Sequence, residues 1–193
     1  MSGHGALLAE AVELLPLGPL PKPTVLALTA RLSRRIELPV RPLPPAEPGA
    51  AKLAGREQLD ASALLAGLEA RAKPPASLLV GVTGHDIAIP IFTFVFGLAR
   101  QGGTACVVSL ARADPCFYGL PQDSERCQIR AVAEILHELG HLATLAHCAD
   151  HACLMSFAGT VEKVDTRGSR FCAACAARLP RWLRGHPPPV EAY

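Results

Sequence analysis

Charge of either sign is scarce and balanced: 19 lysines and arginines face 17 aspartates and glutamates among 193 residues, for a formal net charge of +2. No basic surplus is left over to follow nucleic-acid phosphates or to hold an acidic membrane surface. Long hydrophobic runs are also missing. Half of the residues are hydrophobic, yet no stretch reaches the roughly 20 apolar residues that span a bilayer. No secretory leader is expected, because the apolar start ALLAEAVELLPLG contains Glu10 and Glu13 and lacks a basic segment ahead of it. Those absences point to a cytoplasmic chain with reduced thiols. Methionine is rarer still, since beyond Met1 only Met155 occurs. The length suits one domain with a real core and leaves no room for two large ones.

Against this sparse background one segment stands out, HELGHLATLAHC at residues 137–148. His137 and His141 are four residues apart, about 400° on a helix, so both project from nearly the same face. Glu138 lies about 100° round from His137. From there a carboxylate can reach a metal-bound water without binding the metal itself, which is the place of a general base. His147 follows His141 by six residues, about 120° off the shared face on a continued helix. The helix must therefore end, and the chain turn, before His147 can serve as a third ligand. Three protein ligands with a fourth position open are the pattern of a catalytic zinc. The competing reading is an ordinary histidine pair beside a solvated glutamate.

Residues 123–146 read as one long amphipathic helix carrying this segment, with Asp123 or Ser124 as N-cap and apolar residues at Ile129, Val132, Ile135, Leu136, Leu139 and Leu142. Four cysteines follow as C-x4-C and C-x2-C: Cys148 and Cys153, then Cys172 and Cys175. Four thiolates in two close pairs suit a structural zinc. Two disulfides are the alternative, and the expected reducing compartment favours metal. Cys106 and Cys127 read as small, at least half-buried side chains. Cys116, in a loop-like stretch before the metal helix, is a weaker candidate for an inhibitory or redox role.

Elsewhere strand and helix signals alternate. Strands are expected at residues 12–17 (VELLPL), 37–43, 77–83 (SLLVGVT), 91–98 and 105–110, and helices at 21–36, 56–73 and 171–184, with a proline-rich loop at 44–51. Phe92, Phe94 and Phe96 alternate with smaller residues, a stripe better suited to core packing than to a ligand box. An α/β domain with a twisted sheet on two or three helices accommodates this order.

HELGHLATLAHC, Cys153-Leu-Met155 and Cys172-Ala-Ala-Cys175 together resemble the archaemetzincin family of zinc peptidases, whose signature is H-E-x-x-H-x-x-G-x-x-H-C-x4-C-x-M with a distal C-x2-C. The resemblance extends to VTGHDIAIPIFTFVFGLA, ACVVSLAR, REQLDASALL and LLPLG. It implies a compact metzincin-like α/β domain: a mostly parallel sheet of four to five strands with an antiparallel edge strand, an active-site helix, a Met-turn and a C-terminal helix. It implies two zinc ions per chain. His137, His141 and His147 would bind the catalytic one, with Glu138 as general base. Cys148, Cys153, Cys172 and Cys175 would bind the structural one, and Met155 would form the Met-turn floor. An edge strand including Phe94, Val95 and Phe96 would pair with extended peptide substrate. Residues 1–185 would form the catalytic domain, with a sheet subdomain at 1–146, a Met-turn and cysteine subdomain at 147–185, and a tail at 186–193. A monomer acting on peptides or proteins, with no nucleic-acid or membrane partner, is expected.

One position departs from the signature. Thr144 stands where the family has glycine. The turn toward His147 uses a left-handed backbone, which costs a β-branched residue on the order of 1–2 kcal/mol or forces another turn. A non-catalytic zinc-binding interaction protein with a degraded site is therefore the alternative function. A nucleic-acid-binding zinc ribbon is disfavoured by the low charge and the lack of an aromatic-basic strand near the cysteines.

Overall fold

The computed structural model describes residues 9–49, 52–73 and 77–184. Runs of leucine and valine without polar alternation form strands buried on both faces, as parallel sheets require. β1 (Ala11–Leu17), β4 (Ser77–Thr83) and β7 (Ala105–Ser109) make the centre, with β2 (Val40–Pro42) and β6 (Gly97–Ala99) at the two edges. The order is β2-β1-β4-β7-β6, parallel except that β6 runs antiparallel to β7. The expected α/β architecture, five strands with an antiparallel edge, is thus present. β3 (Leu59–Asp60) and β5 (Ile87–Ala88) form a separate parallel pair.

The period of two along each strand divides the core. Val12, Leu14, Leu78, Val80, Cys106 and Val108 face α1 (Lys22–Ser33) and α3 (Ser124–Leu142), and this cluster continues through Met155 to Leu183. Leu15, Leu17, Leu79 and Val107 face α2 (Ala61–Arg71) through Leu64, Leu65 and Leu68. Helix α3 therefore lies under the sheet with its apolar stripe buried, leaving a polar stripe of the same helix for chemistry.

Several boundaries differ from expectation. Helix α2 begins at Ala61, because the Asp60 carboxylate caps it by accepting from the Ser62 and Ala63 N–H groups. The strand expected over 91–98 shortens to Gly97–Ala99 plus a single bridge between Val95 and Ile87. Ahead of it, side chains from the β3 region take the carbonyls that a strand would use: Arg56 donates to Phe92 O and Gln58 to Thr93 O. Phe94, Val95 and Phe96 thus lead into the edge strand and are not part of it. The final helix divides into α5 (Ala173–Arg178) and α6 (Arg181–Arg184) at Pro180, which has no N–H for a helical bond. A short 3-10 turn (Pro115–Tyr118) and α4 (Val161–Thr166) carried no clear sequence signal. The tail expected at 186–193 lies outside the described residues.

Helix α3 starts where the Asp123 carboxylate accepts from the Arg126 N–H. Replacing this cap (Asp123→Ala) should lower unfolding free energy by about 1 kcal/mol in urea denaturation; an unchanged midpoint would show that the cap does not anchor α3.

Candidate metal centres

His137 and His141 leave α3 from one face, and their Nε2 atoms are 3.1 Å apart. The helix then stops. The Leu145 N–H donates to Gly140 O and the Thr144 N–H to His141 O, both at 2.9 Å, which is the paired bonding of a Schellman C-cap. Such a cap needs a left-handed residue, and Thr144 supplies it with φ 71°, the one non-glycine residue at positive φ among those described. The neighbouring loop secures the turn: the Gly102 N–H donates to His141 O and the Gln101 side chain to Thr144 O. The reversal brings His147 to 5.3 Å from His137 and 4.9 Å from His141 between ring centroids. One ligand nitrogen from each of the three lies within 4.8 Å of the others.

The rings are oriented through their far nitrogens. His137 Nδ1–H donates to Leu154 O and His141 Nδ1–H to Leu145 O, each at 2.8 Å. That leaves Nε2 of both rings as the inward lone pair, because the bond at one ring nitrogen decides the role of the other. Loss of solvent favours the neutral imidazoles, most strongly at buried His137 and least at His147, the exposed member of the three. It pulls His137 down to about 3, helped by the Arg167 guanidinium, and lowers His141 and His147 as well. Neutral imidazoles are the form that binds metal.

Glu138 is only 4% exposed, and its Oε2 atom has no hydrogen-bond partner. Burial, reinforced by the Glu134 carboxylate, pushes its carboxyl well above the ordinary range. Room for it comes from the edge strand, where a Cβ at Gly97 would come within 2.6 Å of Glu138 Oε1. On the other side Gly140 makes space for the fully buried Met155, whose Sδ a Cβ at Gly140 would strike. Three converging imidazoles, with a buried carboxylate oxygen left without a partner on the residue next to His137, fit a divalent cation at this place, and such an oxygen is otherwise costly.

The sulfur atoms of Cys148, Cys153, Cys172 and Cys175 likewise lie within 4.8 Å of one another. All seven cysteines are free, so the two disulfides weighed as the alternative to metal are not formed. The Cys172 N–H donates to Cys153 Sγ, and Cys148 and Cys172 Sγ are 3.9 Å apart. A backbone N–H bond from Cys175 brings the Cys172 thiol down to about 7, while burial pushes Cys153 and Cys175 up. Four thiols this close, one already inclined to ionise, suit a tetrahedral soft-ligand metal. Cys148 N donates to Met155 O, so the quartet and Met155 share one segment. Of the other thiols, Cys106 is buried, Cys127 half-buried and Cys116 exposed.

Phe94 and Phe96 stack edge-on with ring centroids 5.3 Å apart. Phe96 is buried against Val161 and Val164, and Phe94 lies under the Arg112 guanidinium at 3.9 Å. Sequence reasoning missed Gly97 and Gly140, whose use depends on distant side chains. It also missed Phe157, which is 53% exposed and sits edge-on to His147 at 5.3 Å, and the buried Arg167–Glu134 pair beside His137. Nothing local in the sequence marks either one.

A histidine-bearing helix under a mostly parallel sheet, followed by a tight turn to a third histidine and a buried methionine packed on Gly140, defines a metzincin-like domain. Comparison with known proteins agrees. The profile of peptidase family M54 matches residues 72–181. The archaemetzincin of Methanocaldococcus jannaschii is 41% identical over 102 residues, 53% of this chain and 57% of that protein. The crystal structure of archaemetzincin from Archaeoglobus fulgidus, complexed with malonate, superposes with a TM-score of 0.74 at 32% identity, covering 88% of this chain and 99% of that one. A zinc-dependent peptidase from Methanocorpusculum labreanum gives 0.74 at 26% identity, covering 87% and 99%. The chain belongs to the archaemetzincin family, peptidase family M54. The aligned region spans only a little over half of the Methanocaldococcus relative, against nearly all of the two solved chains.

The left-handed threonine gives a direct test of the turn. Thr144→Gly should raise unfolding free energy by about 1 kcal/mol, the strain relieved exceeding the chain entropy that glycine adds. A fall in stability would contradict the strained-turn account.

Proposed function

We propose that this chain is a zinc-dependent peptidase. His137, His141 and His147 hold a catalytic zinc, and Cys148, Cys153, Cys172 and Cys175 hold a structural one. The observation that carries this reading is the convergence of three imidazoles, with the unpartnered Glu138 Oε2 on the residue that follows His137. When bound, zinc supplies positive charge: it makes water nucleophilic at neutral pH, polarises a carbonyl and favours the ionised form of Glu138.

The chain's own groups do the rest. The Leu154 and Leu145 carbonyls hold the His137 and His141 rings in the ligating tautomer. Glu138 accepts a proton from the attacking water at Oε2 and returns it to the leaving amine nitrogen. Gly97 lets the carboxylate stand against the edge strand. Met155 closes the floor as packed thioether and is not a ligand. Extended substrate lies along the outer side of β6, the sheet's antiparallel edge, where main-chain groups are available for strand addition. Phe94, Val95 and Phe96 border its entry. The four thiolates suit a reducing compartment such as the cytoplasm. Both ligand sets come from one chain, so a monomer suffices.

Glu138→Gln removes the base and leaves the histidines in place. Peptide hydrolysis should fall by roughly 10²–10⁴-fold with zinc content unchanged by metal analysis. Retained turnover would refute the role of Glu138. Gly97→Ala should also lower turnover without zinc loss, because the three atoms nearest the added methyl all belong to Glu138 and the carboxylate must move; turnover equal to the parent protein would refute that role for Gly97.

A further inference from the structure

Helix α3 carries a charged stripe that runs into the metal site. Arg126, Arg130, Glu134 and Glu138 recur every fourth residue and so share one face. The first three are paired by α4 or by the residue that ends it. Asp165 takes Arg126 at 2.8 Å and Arg130 at 2.6 Å, and Arg167 Nη2 donates to Glu134 Oε1 at 2.6 Å. The Arg126 pair reaches solvent, whereas the Glu134 and Arg167 side chains are 5% and 4% exposed.

A pair buried this deeply calls for a reason other than stability. Apolar residues of similar volume commonly replace such pairs without loss, since desolvation offsets the attraction. The cost here is higher than usual, because Arg167 Nε has no partner at all. The rest of the guanidinium supplies the reason. Arg167 Nη1 lies 3.3 Å from His137 Nδ1 and 3.4 Å from Ser156 O. The same Nδ1–H donates to Leu154 O. The guanidinium therefore grips the segment that carries the acceptor for His137 and flanks the ring edge from which that proton is donated.

We propose that Arg167, fixed by Glu134, is a positioning residue for His137. It locks residues 154–156 against the imidazole, so that Nδ1–H stays on the Leu154 carbonyl and Nε2 faces the other two histidines. This rests on the reading that the three histidines hold zinc. Outer groups that orient a ligating histidine in this way typically govern metal affinity by 10–100-fold.

The test is chelator competition for zinc at both centres, with the cysteine zinc as an internal control for folding and the Co(II) absorption spectrum as a report on histidine geometry. Three variants are compared: Arg167→Met, the double variant Glu134→Leu/Arg167→Met, and Arg167→Lys. The expected result is that Arg167→Met and the double variant retain the cysteine zinc, bind the histidine zinc about 10–100-fold more weakly and show an altered Co(II) spectrum. Arg167→Lys, which keeps a cationic donor for Glu134, restores most of that affinity. The double variant decides the matter, because it removes both buried charges and leaves no unpaired one. If it binds the histidine zinc as tightly as the parent protein, the pair is only structural and the proposal is overturned. Parallel loss of both zincs in every variant overturns it equally. If the parent protein carries no zinc that His141→Ala removes, the zinc reading itself fails and this proposal falls with it, an outcome distinct from the other two.

Discussion

The whole site depends on one turn. An α-helix can present His137 and His141 together, but it carries any later residue onward at 1.5 Å per position, away from the pair. The third imidazole comes back only because α3 ends within one residue of His141, by the two hydrogen bonds to Gly140 O and His141 O. That cap puts Thr144 in a left-handed conformation that β-branched residues avoid. The strain is held by what surrounds it: Leu145 is buried, its carbonyl takes the His141 proton, and the 101–102 loop bonds to both sides of the turn. A substitution that looks like decay of the signature is absorbed by the neighbourhood, and the triad converges regardless.

Past the turn, one short segment serves both centres. His147 and Cys148 are adjacent, and Cys153 and Met155 close the same loop, tied back by the bond from Cys148 N to Met155 O. Leu154, between them, orients His137. In the proposed two-zinc chain the cysteine centre therefore fixes the segment that the histidine centre leans on, and α4 clamps it from the other side through the charged stripe of α3. Glycines at 97 and 140 let backbone approach closely enough for Glu138 and Met155 to reach their places. In the two-zinc reading the ligands are only the innermost of several layers of contacts that hold the centre.

Features written in local pattern were legible in the sequence. The buried strands at β1, β4 and β7 announce themselves as apolar runs, α3 by its cap and stripe, and the two ligand sets by spacing alone. The left-handed backbone at Thr144 is implied only by the resemblance, through the family's glycine there, with a different turn as the alternative; the structure keeps the left-handed one. What could not be read depends on partners distant in the chain. The stretch before β6 looks like a strand, but Arg56 and Gln58 take its carbonyls. The break in the last helix is the exception, since Pro180 is a local signal that the expected 171–184 helix overrides. Arg167 lies thirty positions beyond His137 in an unremarkable segment, and only the packing of α4 on α3 reveals what it touches.

The account stands or falls on metal occupancy. Diffraction from crystals of the freshly purified protein, measured on either side of the zinc absorption edge, locates zinc directly. Two anomalous peaks are predicted, one among the ring nitrogens of His137, His141 and His147 beside Glu138, and one among the four cysteine sulfurs. A peak at the cysteines alone, with none at the histidines even after soaking in zinc, would contradict it.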